Sequence, residues 1–260
     1  MSRPVFINAL RLRTRSTASM AIGLVAVLLI VGALFPSVHE SFGKLDLPDG
    51  VAELLGGADY ATITGWYRSE IGSFYGPLLI AAAAITGAVG LTAGEEEAGI
   101  LALLLAQPVT RTRLIASKAC AVGVSVLAIA VACWLGLIVG VAVAGGGIST
   151  KNLGAFCLHL LVFGLAIGAL ALAVAAGTGR KGLAVEVAAA VAVAGWLVNG
   201  FAPLVDAIAW LRYLSPFYYY AHNDPLANGA DLVDLAVLAA VTGTLTVLGI
   251  VGILRRDLRA

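Results

Sequence analysis

Six apolar runs alternate with polar connections along the chain, at about 17–36, 74–93, 119–144, 153–177, 183–204 and 232–254. Each is long enough to cross a bilayer as a helix, which takes about 20 residues. The third run is over-length, which predicts a tilted or extended helix. The connections fall at about 37–73, 94–118, 145–152, 178–182 and 205–231. The pattern predicts an all-α polytopic membrane protein, with residues 1–260 forming a single transmembrane domain. An even number of spans places both termini on one side.

The segment before the first run carries Arg3, Arg11, Arg13 and Arg15. Residues 1–16 are expected to form a basic amphipathic elbow helix lying on the cytoplasmic face. Leu34, Phe35 and Pro36 make a poor cleavage site, so the first run is expected to be a retained span rather than a signal peptide.

Composition excludes a soluble enzyme domain. Hydrophobic residues make up 60% and charged residues 12% of the chain, against about 25% charged in a soluble domain. The net charge of +1 carries no information, but its distribution does. With both termini cytoplasmic, the inner segments hold Arg3, Arg11, Arg13, Arg15, Arg111, Arg113, Lys118, Arg180, Lys181, Arg255, Arg256 and Arg259, or 12 of 16 basic residues. Only Lys44, Arg68, Lys151 and Arg212 remain outside. The positive-inside rule therefore predicts this topology, in the cytoplasmic (inner) membrane.

The connection 94–118 is unlike the others. It opens with Glu95, Glu96 and Glu97, continues through a short apolar stretch from Ala98 to Ala106, breaks at Gln107-Pro108 and resumes with Thr110-Arg111-Thr112-Arg113. The apolar stretch is too short to span. Pro108 cannot donate a backbone hydrogen bond and turns the preceding residue away from helix, which fixes a bend. The expected structure is a helical elbow at the membrane surface with one face free for a partner. Clustered carboxylates there point to a basic partner surface.

The outer connection 205–231 holds Trp210, Tyr213, Phe217, Tyr218, Tyr219 and Tyr220, punctuated by Pro216 and Pro225. It reads as an interfacial or re-entrant segment rather than a seventh span. It could serve as an aromatic belt or as a lid over a pathway. Trp196, Asn199 and Phe201 in the fifth run are candidate pathway residues. Glu186 is expected to pair with Arg180 or Lys181, and His159 to be a hydrogen-bonded structural histidine. Small residues four apart at Gly90/Gly94, Gly136/Gly140 and Gly164/Gly168 mark candidate close helix approaches. Cys120, Cys133 and Cys157 show no metal or disulfide spacing.

The stretch from Glu95 to Lys118 resembles the signature of ABC-2 type permeases, the membrane subunits of one class of ATP-binding cassette transporter. In that family the second and third spans are joined by a glutamate cluster, a glycine, an apolar helix, a proline, a small-polar-Arg step and a Ser-Lys or Gly-Lys close. Here these are Glu95-Glu96-Glu97, Gly99, Ile100 to Leu105, Pro108, Thr110-Arg111 and Ser117-Lys118. Leu211 to Leu226 is similar to the outer segment before the last span in such permeases.

The resemblance implies cytoplasmic coupling helices between the second and third spans. The implied coupling residues are Glu95, Glu96, Glu97, Gly99, Leu103, Pro108, Arg111 and Arg113. It also implies two ATPase subunits and a second permease, identical or related. No phosphate-binding loop of the form G-x-x-x-x-G-K-[ST] occurs, so ATP and Mg are expected on the partner ATPase and no cofactor or metal on this chain. No nucleic-acid partner is expected. An export pathway lined by Ala, Leu, Val and Phe would suit hydrophobic or amphiphilic cargo. The alternative is an ion-gradient-driven transporter or channel, which would need paired intramembrane carboxylates or matching broken helices. An intramembrane serine hydrolase would need a G-x-S-x-G that the chain lacks.

Overall fold

The computed structural model describes residues 2–42, 60, 62–105 and 108–256. Residues 43–59 and 61 of the first expected connection, Ala106 and Gln107 in the elbow, and Arg259 lie outside these residues. Among the described residues every element is helical, and six helices are long and apolar enough to cross a membrane.

Helix α1 runs unbroken from Arg3 to Phe42. Its 40 residues rise about 60 Å at 1.5 Å each, about twice a hydrocarbon core. The expected separate elbow over residues 1–16 is therefore not seen. No helix breaker lies between Pro4 and Gly23. Arg13 does not lie on a surface either: it is 9% exposed and its Nη2 donates to the Ala83 carbonyl at 3.1 Å. A guanidinium held this way lets the helix pass alongside the second span without a bend.

The second span begins earlier than hydropathy predicts. Helix α2 (Ile63–Tyr67), a π-helical segment (Arg68–Tyr75) and α3 (Gly76–Gly90) run end to end. Residues 63–73 were expected in a connection because Arg68, Ser69 and Glu70 interrupt the apolar pattern. Trp66, Tyr67 and Ile71 nevertheless bury one helical face. Trp66 Nε1 donates to Val31 O at 2.9 Å and Tyr67 Oη to Leu28 O at 3.2 Å, which pins this turn to α1.

Short helices α4 (Ala93–Glu97) and α5 (Ile100–Leu105) form the elbow, and α6 (Arg111–Val143) follows. Residues 111–118, expected within the connection, are the first turns of α6. Helix α7 (Thr150–Thr178) is the hub, packing on α3, α6, α8 (Lys181–Phe201) and the last span. The outer segment 205–231 contains a 3-10 helix (Asp206–Leu214), α9 (Pro216–Ala221) and α10 (Pro225–Asn228), with no seventh span. Helix α11 (Leu232–Arg255) closes the bundle against α7.

Two of the three glycine pairs sit at close approaches. A Cβ on Gly140 would meet Tyr67 Oη at 2.5 Å and Leu28 O at 2.9 Å. One on Gly168 would meet Ala84 Cβ at 3.1 Å. Gly90 faces open space, so the Gly90/Gly94 pair makes no comparable contact.

Candidate functional site

The elbow lies at the end of the bundle where Ser2 and Arg256 lie. Ser2 N donates to Ser117 Oγ at 2.8 Å, and Arg111 Nη1 donates to Ile253 O at 3.1 Å and Arg256 O at 2.8 Å. The latter bonds satisfy carbonyls that the end of α11 leaves without helical partners.

The three carboxylates of α4 diverge to three different helices. Successive side chains on a helix point about 100° apart, so consecutive glutamates cannot share a target. Glu95 Oε2 meets Lys118 Nζ of α6 at 2.7 Å. Glu96 takes both Nη atoms of Arg256 beyond α11, with Nη1 at 2.7 Å from Oε1. Glu97 Oε1 accepts the Lys181 backbone N–H at 2.9 Å. It thereby covers a donor at the N-terminus of α8, where a negative charge is favoured. Glu95 and Glu96 are buried and Glu97 is exposed.

The elbow's free face is made of the other residues. Gly99 adopts φ +72° and reverses the chain between α4 and α5, a conformation that side chains with a Cβ resist. In α5, Leu101 is buried, whereas Leu103 is 72% exposed and Ile100 is exposed with it. Pro108 and Arg113 are exposed, while Arg111 is half-buried on the end of α11. Thr110 Oγ1 accepts the Arg113 N–H at 3.3 Å and starts α6 just past the proline. The sequence reading placed these residues in one connection, whereas the structure divides them among α4, α5 and the first turns of α6. It missed Arg256 and the inward use of Glu95 and Glu96. The Arg255-Arg256 pair closing the last apolar run was the available signal.

The opposite end holds a cavity of about 380 Å³ beneath the aromatic segment. The π-helical segment supplies Arg68, Gly72 and Ser73, and the outer segment supplies Arg212, Tyr218 and Asp224. Arg68 Nη1 meets Asp224 Oδ2 at 2.6 Å. Tyr220 Oη donates to the Gly72 carbonyl at 2.9 Å, and Asn152 Nδ2 ties the α10 carbonyls of Leu226 and Ala227 to α7 at 3.0 and 2.8 Å. His222 Nδ1 lies 2.7 Å from Asp234 Oδ2, and its ring stacks on Tyr218 at 4.5 Å. Asp231 accepts the N–H groups of Val233 and Asp234 and so caps α11, which holds its carboxyl below the usual range.

Of the three expected pathway residues, Asn199 lines this cavity. Trp196 packs on Phe74 with ring centroids 6.1 Å apart, and Phe201 is 44% exposed. His159 is fully buried and its Nε2 accepts the Asp231 N–H at 3.1 Å, a structural contact as expected. Glu186 is exposed and makes no ion pair with Arg180 or Lys181 among the described residues. The backbone N–H of Lys181 is taken by Glu97 instead.

Residues 4–253 match the family described as the multidrug efflux system permease Rv1217c, C-terminal domain. No curated protein matches the chain.

Proposed function

We propose, from the premise that this chain belongs to the efflux-permease family of the Rv1217c C-terminal domain, that it works as one permease of an ATP-driven exporter whose motor is a separate pair of ATPase subunits. The family and the six apolar helices make it a multi-pass membrane permease, a transport subunit rather than an enzyme. The finer reading is that ATP and Mg bind on the partner ATPases, that the elbow end and both termini face the cytoplasm, and that a second permease completes the pathway in the inner membrane. The cargo would be hydrophobic or amphiphilic.

The observation that carries this reading is the elbow's two-sidedness. Glu95, Glu96 and Glu97 tie α4 to α6, to the end of α11 and to the start of α8. Leu103 and Ile100 stand out from the other side. A push on Leu103 would thus reach three spans through short charged contacts, as a rigid lever rather than a loose loop. An apolar side chain this exposed, in a connection that also presents Pro108 and Arg113, fits a groove on a soluble partner.

The test is Leu103→Asp in the tagged permease, expressed with an ATPase that carries its own phosphate-binding loop. The ATPase should co-purify with wild type and be lost from the variant, which still elutes as a folded membrane protein. Undiminished ATPase binding by the variant, or cargo transport by the chain alone in nucleotide-free proteoliposomes, would overturn the reading.

A further inference from the structure

Helix α1 carries a basic stripe that nothing in the chain answers. Arg11, Arg15, Ala18 and Ile22 follow at spacings of four, three and four, so they share one side of the helix, and all four are exposed. Arg3 and Ile7 extend that side toward the N-terminus and are exposed too. Of the arginines before the first apolar run, Arg13 alone turns inward. Among the described residues the side chains of Arg3, Arg11 and Arg15 make no ion pair or hydrogen bond. The chain has no acidic residue before Glu40 and none between Glu97 and Glu186, so neither this part of α1 nor its main neighbour α6 offers a carboxylate. Glu95 and Glu96, at the same end of the bundle, are taken by Lys118 and Arg256. The anion that answers the stripe comes from outside the chain.

Two contacts set the depth of the stripe. Ser2 N meets Ser117 Oγ, and a Cβ on Gly136 would lie 3.5 Å from Val25 Cα, so α1 and α6 run side by side in the same direction. Between these anchors Arg11 and Arg15 stand level with Val124 and Leu127, the first exposed large apolar residues of α6. Val131, Leu135, Val139 and Val143 continue that exposed apolar face. On α1 the exposed side changes at this level from arginine to Ala18 and Ile22. The arginines therefore stand at the rim of the apolar belt. Side chains on a helix lean toward its N-terminus, here away from the belt, so the guanidinium groups reach headgroup level while their stems lie on apolar surface.

We propose that this stripe binds an acidic glycerophospholipid of the leaflet at the elbow end, with its phosphate diester on Arg11 and Arg15 and an acyl chain along Ala18 and Ile22. Two guanidinium forks one helical turn apart match the oxygens of a phosphate. Continuity favours a lipid over a soluble protein. The apolar half of this face meets lipid tails in a bilayer, and the headgroup joined to those tails lies where the arginines are. Binding requires only that α1 spans a bilayer; it depends on neither an ATPase nor a cargo.

The experiment uses the purified full chain in a non-ionic detergent, with phosphatidylglycerol or phosphatidylcholine of identical acyl chains, and counts retained lipids by native mass spectrometry. Wild type should favour phosphatidylglycerol by about ten-fold or more, the scale of two basic residues at an anionic membrane surface. Arg11→Gln with Arg15→Gln should bring the preference close to one. Retention of phosphatidylcholine and the thermal unfolding midpoint should not change, because both side chains are exposed and unpaired. Arg11→Lys with Arg15→Lys should keep most of the preference. Arg180→Gln with Arg255→Gln removes the same charge from exposed positions elsewhere and should bind as wild type does. Leu103→Asp should do so too, which separates failure of the elbow reading from failure of this one. Equal retention of the two lipids by wild type, or equal loss of preference in the two double glutamine variants, would overturn the proposal. So would an Arg11→Gln, Arg15→Gln variant that keeps its lipid preference and loses a bound ATPase, since the stripe would then belong to a protein partner.

Discussion

Glu96 and Arg256, 160 positions apart, meet through both guanidinium Nη atoms and both carboxylate oxygens and so join the elbow to the end of the last span. The Glu96 side chain is 3% exposed and that of Arg256 17%. At that burial the pair is not a surface ornament. Truncating Arg256 takes a bidentate partner from the Glu96 carboxylate in a site that water reaches poorly. Breaking such a pair costs about 3–5 kcal/mol. Arg256→Ala should therefore lower the thermal unfolding midpoint in detergent by about 6–12 °C, taking roughly 3 kcal/mol at 2–4 °C per kcal/mol. The reciprocal exchange Glu96→Arg with Arg256→Glu should recover more than half of the loss. A midpoint unchanged in Arg256→Ala would mean that the two residues meet without holding anything together.

Gly99 tests the elbow's shape apart from its chemistry. Nothing lies within 4 Å of where its Cβ would sit, so substitution meets no clash. The whole cost comes from φ +72°. An alanine there should cost about 1–2 kcal/mol and asparagine clearly less, because a short polar side chain tolerates the left-handed region. Transport should follow the same order, wild type above Gly99→Asn above Gly99→Ala, at equal amounts of protein in the membrane. A reversed order would show that the turn's handedness is irrelevant to the elbow.

How much of this was legible in the sequence differs from element to element. The six spans were, because each apolar run is long enough to need a bilayer and nothing else satisfies its backbone there. Their ends were not, where a charge sits inside the helix. Lys118 made α6 look as though it began after residue 118, although the lysine is buried and balanced by Glu95. Arg68 likewise hid the start of the second span, because its partner Asp224 lies 156 positions downstream. The break between the second and third spans was legible through its proline, glycine and carboxylates, but not its division into α4, α5 and the first turns of α6. The direction of each glutamate was not, since that depends on which helices surround α4. The cavity combines a π-helical wall with a segment far along the chain, and no local pattern marks such a pairing.

Gly140 and Gly90 make a controlled comparison. Both belong to small-residue pairs of the same spacing, yet only Gly140 faces a neighbour, with Tyr67 Oη and Leu28 O crowding its open side. Gly140→Ala should force α1 and α6 apart at a cost of about 1–3 kcal/mol. Gly90→Ala should be neutral, or stabilising by up to about 1 kcal/mol through helix propensity. Thermal unfolding of the two variants side by side decides the matter. Equal effects would show that the close approach of α1 to α6 at Gly140 does not govern their packing.

Asp231 makes the capping of the last span sensitive to acid. Its carboxylate accepts the N–H groups of Val233 and Asp234 at 2.8 and 3.1 Å, and these bonds favour the charged form and lower its pKa. A group lowered on folding adds stability that is fully present above its unfolded value of about 4. That contribution is lost as pH falls through the folded value. Asn also caps helices but does not titrate. Wild type should therefore exceed Asp231→Asn in thermal stability at pH 7, with the gap closing below about pH 4. A difference between the two proteins that stayed constant from neutral to strongly acid solution would show that the charge on Asp231, as distinct from its shape, contributes nothing to holding the start of α11.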